Sequence, residues 1–312
     1  MKREELKPEL WALAIYLTIV FGLAWLPACA LRTVHIDEQA PVLKRLMLSS
    51  ALYALTMGWQ PLVAVLVVRR LVEAPRYLDA GLRAAAPRFI SAAVGLPLFL
   101  AAAAMAVASQ ASSTGEQATS GVAFNTSFAP SAASALIALS FGGCAIVLLW
   151  LQAAGEEVGW RGYFLPRCMQ LLGPWRGLLF HALAWGIWYV PLLLLTTENL
   201  RSSLLRSACF LVTCVLLGTL LGWFRLISKS IVATAVANAV LTIAAGLPFV
   251  IQGANVGRRS AAYEPSGWVP MGIALMLLAL SRYRHAVTLV EGRRATSRTL
   301  PDPSPAHASR LH

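Results

Sequence analysis

The densest chemistry in the chain is two adjacent carboxylates, Glu156 and Glu157, with Arg161 four residues after the second, inside Gly155-Glu156-Glu157-Val158-Gly159-Trp160-Arg161-Gly162. The stretch closes a long apolar run, where ionisable groups are costly and are read by default as a functional site. On a helix, Glu157 and Arg161 stand at i and i+4 and can pair along one face. Glu156 lies about 100° away around the same helix and can point elsewhere. One carboxylate is held by its own cation, and the other is left available for chemistry. The plainer alternative is a solvated helix end carrying an ion pair.

Other polar groups inside apolar segments are sparse. Gln60 stands beside Pro61, and Gln152 precedes the glutamates by one helical turn. His181 and Tyr189 occupy a later apolar run, and Asn238 and Thr242 another. So short a set implies one polar site on which several helices converge. Asn238 and Thr242 are i and i+4 and share a face. His181 and Tyr189 are eight residues apart, which on a helix is roughly 80° around and about 12 Å along. They cannot both enter one small site unless the helix bends. Interhelical hydrogen bonding is the default role for Asn238 and Thr242, and packing is the default for Tyr189 and His181.

The elements that must position these groups are membrane helices. Of 312 residues, 58% are hydrophobic and only 13% are charged, against about 25% charged in a soluble domain. Apolar runs long enough to cross a bilayer suggest an all-α, polytopic bundle of about eight spans. They lie near Leu10–Leu31, Leu46–Val68, Ile90–Ala108, Ala132–Leu151, Gly177–Leu195, Leu204–Leu226, Ile231–Ile251 and Trp268–Leu280. One helical domain, residues 1–284, is expected, followed by a basic, Pro-rich disordered tail, residues 285–312. The segment Ser109–Ser131 reads as an external loop, and Asn125-Thr126-Ser127 within it is formally a glycosylation acceptor.

The net charge of +12 follows topology rather than nucleic acid. Lys2, Arg3 and Lys7 precede the first span, and Arg69, Arg70, Arg76, Arg83 and Arg88 fill the second loop. Arg282, Arg284, Arg293, Arg294 and Arg298 follow the last, while Ser109–Ser131 has neither Lys nor Arg. The positive-inside rule then places both termini in the cytoplasm. Membrane lipid is the expected surrounding partner, and no basic, aromatic-interleaved patch calls for nucleic acid. The five cysteines form no C-x-x-C pair and read as small apolar residues rather than disulfides or thiolate ligands.

The string Gly155-Glu156-Glu157-Val158-Gly159-Trp160-Arg161-Gly162-Tyr163-Phe164-Leu165-Pro166-Arg167 resembles the first motif, E-E-x-x-x-R, of the CPBP family. These are intramembrane metalloproteases that include type II CAAX prenyl endopeptidases and bacteriocin-immunity-like proteins. Gly58-Trp59-Gln60-Pro61 and Trp188-Tyr189-Val190-Pro191 are similar to further family segments, and Ser230-Ile231 opens the span of its third motif. The resemblance covers about residues 50–250. It implies a zinc-dependent endopeptidase of the bacterial cytoplasmic membrane, with a prenylated or membrane-proximal peptide as substrate. On that resemblance Glu156, Glu157 and Arg161 would form the catalytic group, with Glu156 activating a water. A carboxylate beside a Lewis-acidic ion can deprotonate water near neutral pH.

The chain departs from that pattern at the metal ligands. In the F-x-x-x-H motif, Trp185 takes the aromatic position and Tyr189 the histidine. In H-x-x-x-N, Asn238 takes the histidine and Thr242 the asparagine. Tyrosine, with a pKa near 10, is a poor zinc ligand, and asparagine suits hard cations better. Two function classes follow. One is an endopeptidase with Glu156 as base. The other is an inactive relative that binds a protein, peptide or lipid through the same cavity. Either way, Glu156, Tyr189, Asn238 and Thr242 are expected to face one polar cavity.

Overall fold

The computed structural model describes residues 3–30, 57–72, 81–112, 147–191, 200–251 and 265–280. Every regular element among them is helical: α1 (Arg3–Ala30), α2 (Gln60–Leu71), α3 (Pro87–Ser112), α4 (Leu165–Leu172), α5 (Pro174–Trp188), α6 (Leu200–Ser228), α7 (Ile231–Ile251) and α8 (Pro265–Leu280). A helical run over residues 147–157 leads into a π-helix, Val158–Phe164, which continues directly into α4. The expected all-α bundle is what forms.

Among the described residues, three helical stretches are long and apolar enough to cross a membrane: Glu9–Cys29, Pro87–Ala108 and Ser207–Ser228. Ile231–Ala244 and Pro265–Ala279 are apolar but shorter. Leu26, Phe99, Val212 and Met276 stand exposed on four of these helices. Such apolar surface is hydrocarbon-facing in a membrane and an aggregation hazard in water. The chain is an integral membrane protein. Most of the expected span Ala132–Leu151, the acceptor Asn125, and the proposed boundary and tail from residue 285 lie outside the described residues. The expected loop from Ser109 starts later than its composition suggests, because α3 runs on to Ser112.

Local sequence sets the helix boundaries near the polar residues. Gly58 has φ of 110°, a conformation that favours glycine, and Pro61 follows in the first turn of α2. Gly173, with φ of 84°, separates α4 from α5, and Pro174 opens α5, the position where proline loses no helical hydrogen bond. Between α6 and α7 the chain turns through Lys229, with φ of 54°. Ser230 then caps α7: the Ala233 N–H donates to Ser230 Oγ at 3.3 Å, as an N-cap serine should. Ser230 Oγ in turn donates to the Arg83 carbonyl at 2.6 Å, and the Ile231 N–H to the Gly81 carbonyl at 2.8 Å. These bonds fix the start of α7, and hence the register of Asn238 and Thr242.

The core is aromatic where α1 meets the π-helix. Tyr16 packs edge-on to Trp160 at 6.2 Å and stacks on Phe164 at 5.7 Å. Elsewhere, α5 packs along both α4 and α6, while α7 and α8 pack on α3.

Candidate functional site

Glu156 and Glu157 are the last two residues before the π-helix. A π turn is rare and is often found at functional positions. Its wider winding, absent from the regular helix expected of the sequence, begins immediately after the glutamates and contains Arg161. The expected pair forms nonetheless: Arg161 Nη1 donates to Glu157 Oε1 at 2.8 Å, with both side chains fully buried. The guanidinium also lies 4.1 Å from the centre of the Trp185 ring, close enough for cation–π attraction. Trp185, read from the sequence as the aromatic of the second motif, thus supports the cation of the first.

Asn238 reaches the same carboxylate from α7. Its Nδ2 donates to Glu157 Oε1 at 3.1 Å, so Glu157 Oε1 accepts from two groups on two elements. Glu156, only 3% exposed, takes a different donor. The Tyr189 hydroxyl donates to Glu156 Oε2 at 3.1 Å. Tyr189 is the C-cap of α5, and Pro191 follows it. Its ring is clamped edge-on by Trp185, Trp188 and Phe210 at centroid distances of 5.7, 4.8 and 5.5 Å. That clamp fixes where the hydroxyl points.

A cavity of about 20 Å³ opens against these groups, lined by Leu149, Gln152, Ala153, Glu156, Tyr189, Asn238 and Thr242. The four residues expected to share a cavity therefore do so. Its volume is that of roughly one water. Thr242 donates its hydroxyl to the Asn238 carbonyl at 3.0 Å, which ties the two α7 residues together. Gln152 is a wall residue that the motifs do not name. Its signal in the sequence was its place one turn before Glu156.

Two glycines bring the neighbouring chain against the glutamates. A Cβ at Gly58 would lie 2.4 Å from Gln152 Cγ, and one at Gly159 would lie 2.2 Å from Pro61 Cβ. Gly58-Trp59-Gln60-Pro61 therefore packs directly on the glutamate helix. Gly155 and Gly159 form the small-residue spacing that lets helices approach closely.

The zinc implied by the resemblance does not fit these residues. The cavity wall offers one carboxylate, and its other polar side chains are hydroxyls and amides. Zinc in proteins takes Cys, His and carboxylate ligands. His181, the one histidine among the described residues, is fully buried but packs near Trp160 and Phe164, at ring-centroid distances of 6.3 and 6.2 Å. It does not line the cavity, in keeping with its helical offset from Tyr189. Among the described residues, no three His, Cys, Asp or Glu side chains group as metal ligands. Cys29, Cys168, Cys209 and Cys214 are free thiols; Cys168 and Cys214 are buried as expected, whereas Cys29 is exposed.

Residues 123–244 match the family model described as type II CAAX prenyl endopeptidase Rce1-like. That stretch is similar to CAAX-protease-type proteins. The matched stretch contains Glu156, Glu157, Arg161, Tyr189, Asn238 and Thr242, and it stops short of α1–α3 and α8. A search of curated proteins gave no match. The match supports the CPBP resemblance read from the Glu-Glu motif.

Proposed function

We propose that this protein is a CAAX-protease-type membrane protein that binds a membrane-proximal peptide or protein partner at the Glu156 site and does not cut it with zinc. The observation that carries this reading is the bond from the Tyr189 hydroxyl to Glu156. The residue in the histidine position donates a proton to the carboxylate instead of offering a lone pair to a metal. Asn238, in the second histidine position, likewise donates to Glu157. Metal-assisted peptidases rely on the ion to bring the pKa of bound water from about 15.7 to near 7. Here Glu156 would have to activate water without that help. The cavity admits one small group, so a partner would present a single polar atom there, with most of its contact made along the surrounding apolar helices.

The water-sized cavity favours a second reading, peptide hydrolysis with Glu156 as general base. One experiment separates the two. A fluorescent prenylated CAAX peptide is incubated with detergent-purified wild type and Glu156→Ala, and both binding anisotropy and cleavage are followed. Binding by wild type without cleavage is the expected result. Cleavage that disappears in Glu156→Ala would establish the hydrolytic reading instead.

A further inference from the structure

A second cavity lies between α3, α6 and α7 and shares no wall residue with the one at Glu156. All of its lining side chains are apolar, among them Ala92, Leu96 and Leu100 of α3, Leu221 and Phe224 of α6, and Leu241 of α7. The three α3 residues follow at i, i+4 and i+8, so they form one stripe, about 12 Å long. Burial deepens along it. Ala92 is exposed, Leu96 is half-buried, and Leu100 and Leu241 are buried. The cleft is therefore open at Ala92 and closed at the level of Leu100. An apolar space of about 20 Å³ offers water no hydrogen bond, and its width admits the end of one hydrocarbon chain.

The open end is basic. The membrane-length stretch Pro87–Ala108 begins there and Ser207–Ser228 ends there, with Arg88 and Lys229 both exposed at the boundary. The Arg88 guanidinium lies 5.0 Å from the Phe89 ring centre, and Phe89 meets Phe224 of the cleft wall edge-on at 6.2 Å. Lys229 adjoins Ser230, whose hydroxyl bonds the Arg83 carbonyl, and Arg225 packs against Gly81 in the same corner. Residues 81–112 and 200–251 contain no Asp or Glu. Cations at a span boundary alone mark topology. Topology does not require an apolar cleft beside them. From Arg88 to Leu100, α3 rises about 18 Å, close to the depth of one leaflet in a hydrocarbon core about 30 Å thick.

We propose that this cleft holds an anionic phospholipid, with its phosphate at Arg88 and Lys229 and the end of one acyl chain between α3, α6 and α7. Basic pockets between membrane helices favour anionic headgroups. The occupant must be anionic at one end and apolar for a leaflet's depth, which a membrane phospholipid is and a soluble anion is not.

The full chain, purified in detergent, is melted with added phosphatidylglycerol, with phosphatidylcholine of the same acyl chains, and with glycerol phosphate, which has the anion but no chain. Phosphatidylglycerol is expected to raise the melting midpoint saturably, on the order of a few degrees, and the other two to leave it in place. Arg88→Gln/Lys229→Asn, with Asn suited to the positive φ of that position, should raise the half-saturating phosphatidylglycerol concentration roughly tenfold. Ala92→Phe, at the exposed mouth, should raise it too. Arg69→Gln/Arg70→Gln removes the same charge from α2, which packs on α1 and the π-helix, and should leave it unchanged. An equal rise with phosphatidylcholine would overturn the proposal, as would a rise with glycerol phosphate alone. So would an equal loss in the two charge variants, the mark of general surface attraction, or an unaltered response in Ala92→Phe. None of these variants touches the Glu156 site, so the proposed function stands or falls separately.

Discussion

Glu157 and Arg161 are a buried charge pair, and the consequence is asymmetric. Removing one partner leaves a charge without its counter-ion, at a cost of about 3–5 kcal/mol. Arg161→Met should therefore destabilise by roughly that amount in denaturant unfolding of the detergent-solubilised protein. The double variant Glu157→Gln/Arg161→Met should lose less than the sum of the single variants, because neither charge is then orphaned. Tyr189→Phe removes only the hydroxyl on Glu156 and keeps the ring in its aromatic clamp. Its cost should be about 1.5–3 kcal/mol, the range for one hydrogen bond to a charged group. The pairing of Glu157 with Arg161 was legible from their i,i+4 spacing. The choice of Tyr189 as the partner of Glu156 was not, since the two are separated by 33 positions and meet only through packing.

At the scale of elements, the site depends on how closely Gly58–Pro61 lies against the glutamate helix. The Pro61 ring and backbone near Gly159 cannot swing aside as a flexible side chain could. Gly159→Ala should then destabilise by about 1–3 kcal/mol, the usual cost of overpacking, and weaken any ligand response at the cavity. A melt of the variant beside wild type checks both. The helices themselves could be read from apolar runs, and their starts from Pro61, Pro174 and Ser230. The π-helix could not. Gly-Trp-Arg-Gly-Tyr carries no local signal for i→i+5 bonding, and the contacts that Trp160 and Phe164 make with Tyr16 come from a distant helix. Composition likewise gave no sign that α3 extends past Ser109 into the polar loop, because helix ends there are set by neighbours as much as by propensity.

At the scale of the whole molecule, the described residues form apolar helices with exposed apolar side chains around a buried polar cluster. The protein should stay with membranes through alkaline carbonate washing and be released by detergent, as expected for helices that satisfy their backbone internally within lipid. Class and site location were visible in the sequence because ionisable residues are so rare in its apolar runs. Whether the site holds zinc was not, because that depends on which way the protons of Tyr189 and Asn238 point. Those protons point at the glutamates, and this is the central claim of the account. It is tested most directly by metal analysis of the purified full chain by mass spectrometry, beside the variant Tyr189→His/Asn238→His. The account predicts substoichiometric zinc in the wild type and a marked gain in the variant, which restores imidazoles next to Glu156 and Glu157. One zinc per wild-type chain would contradict it.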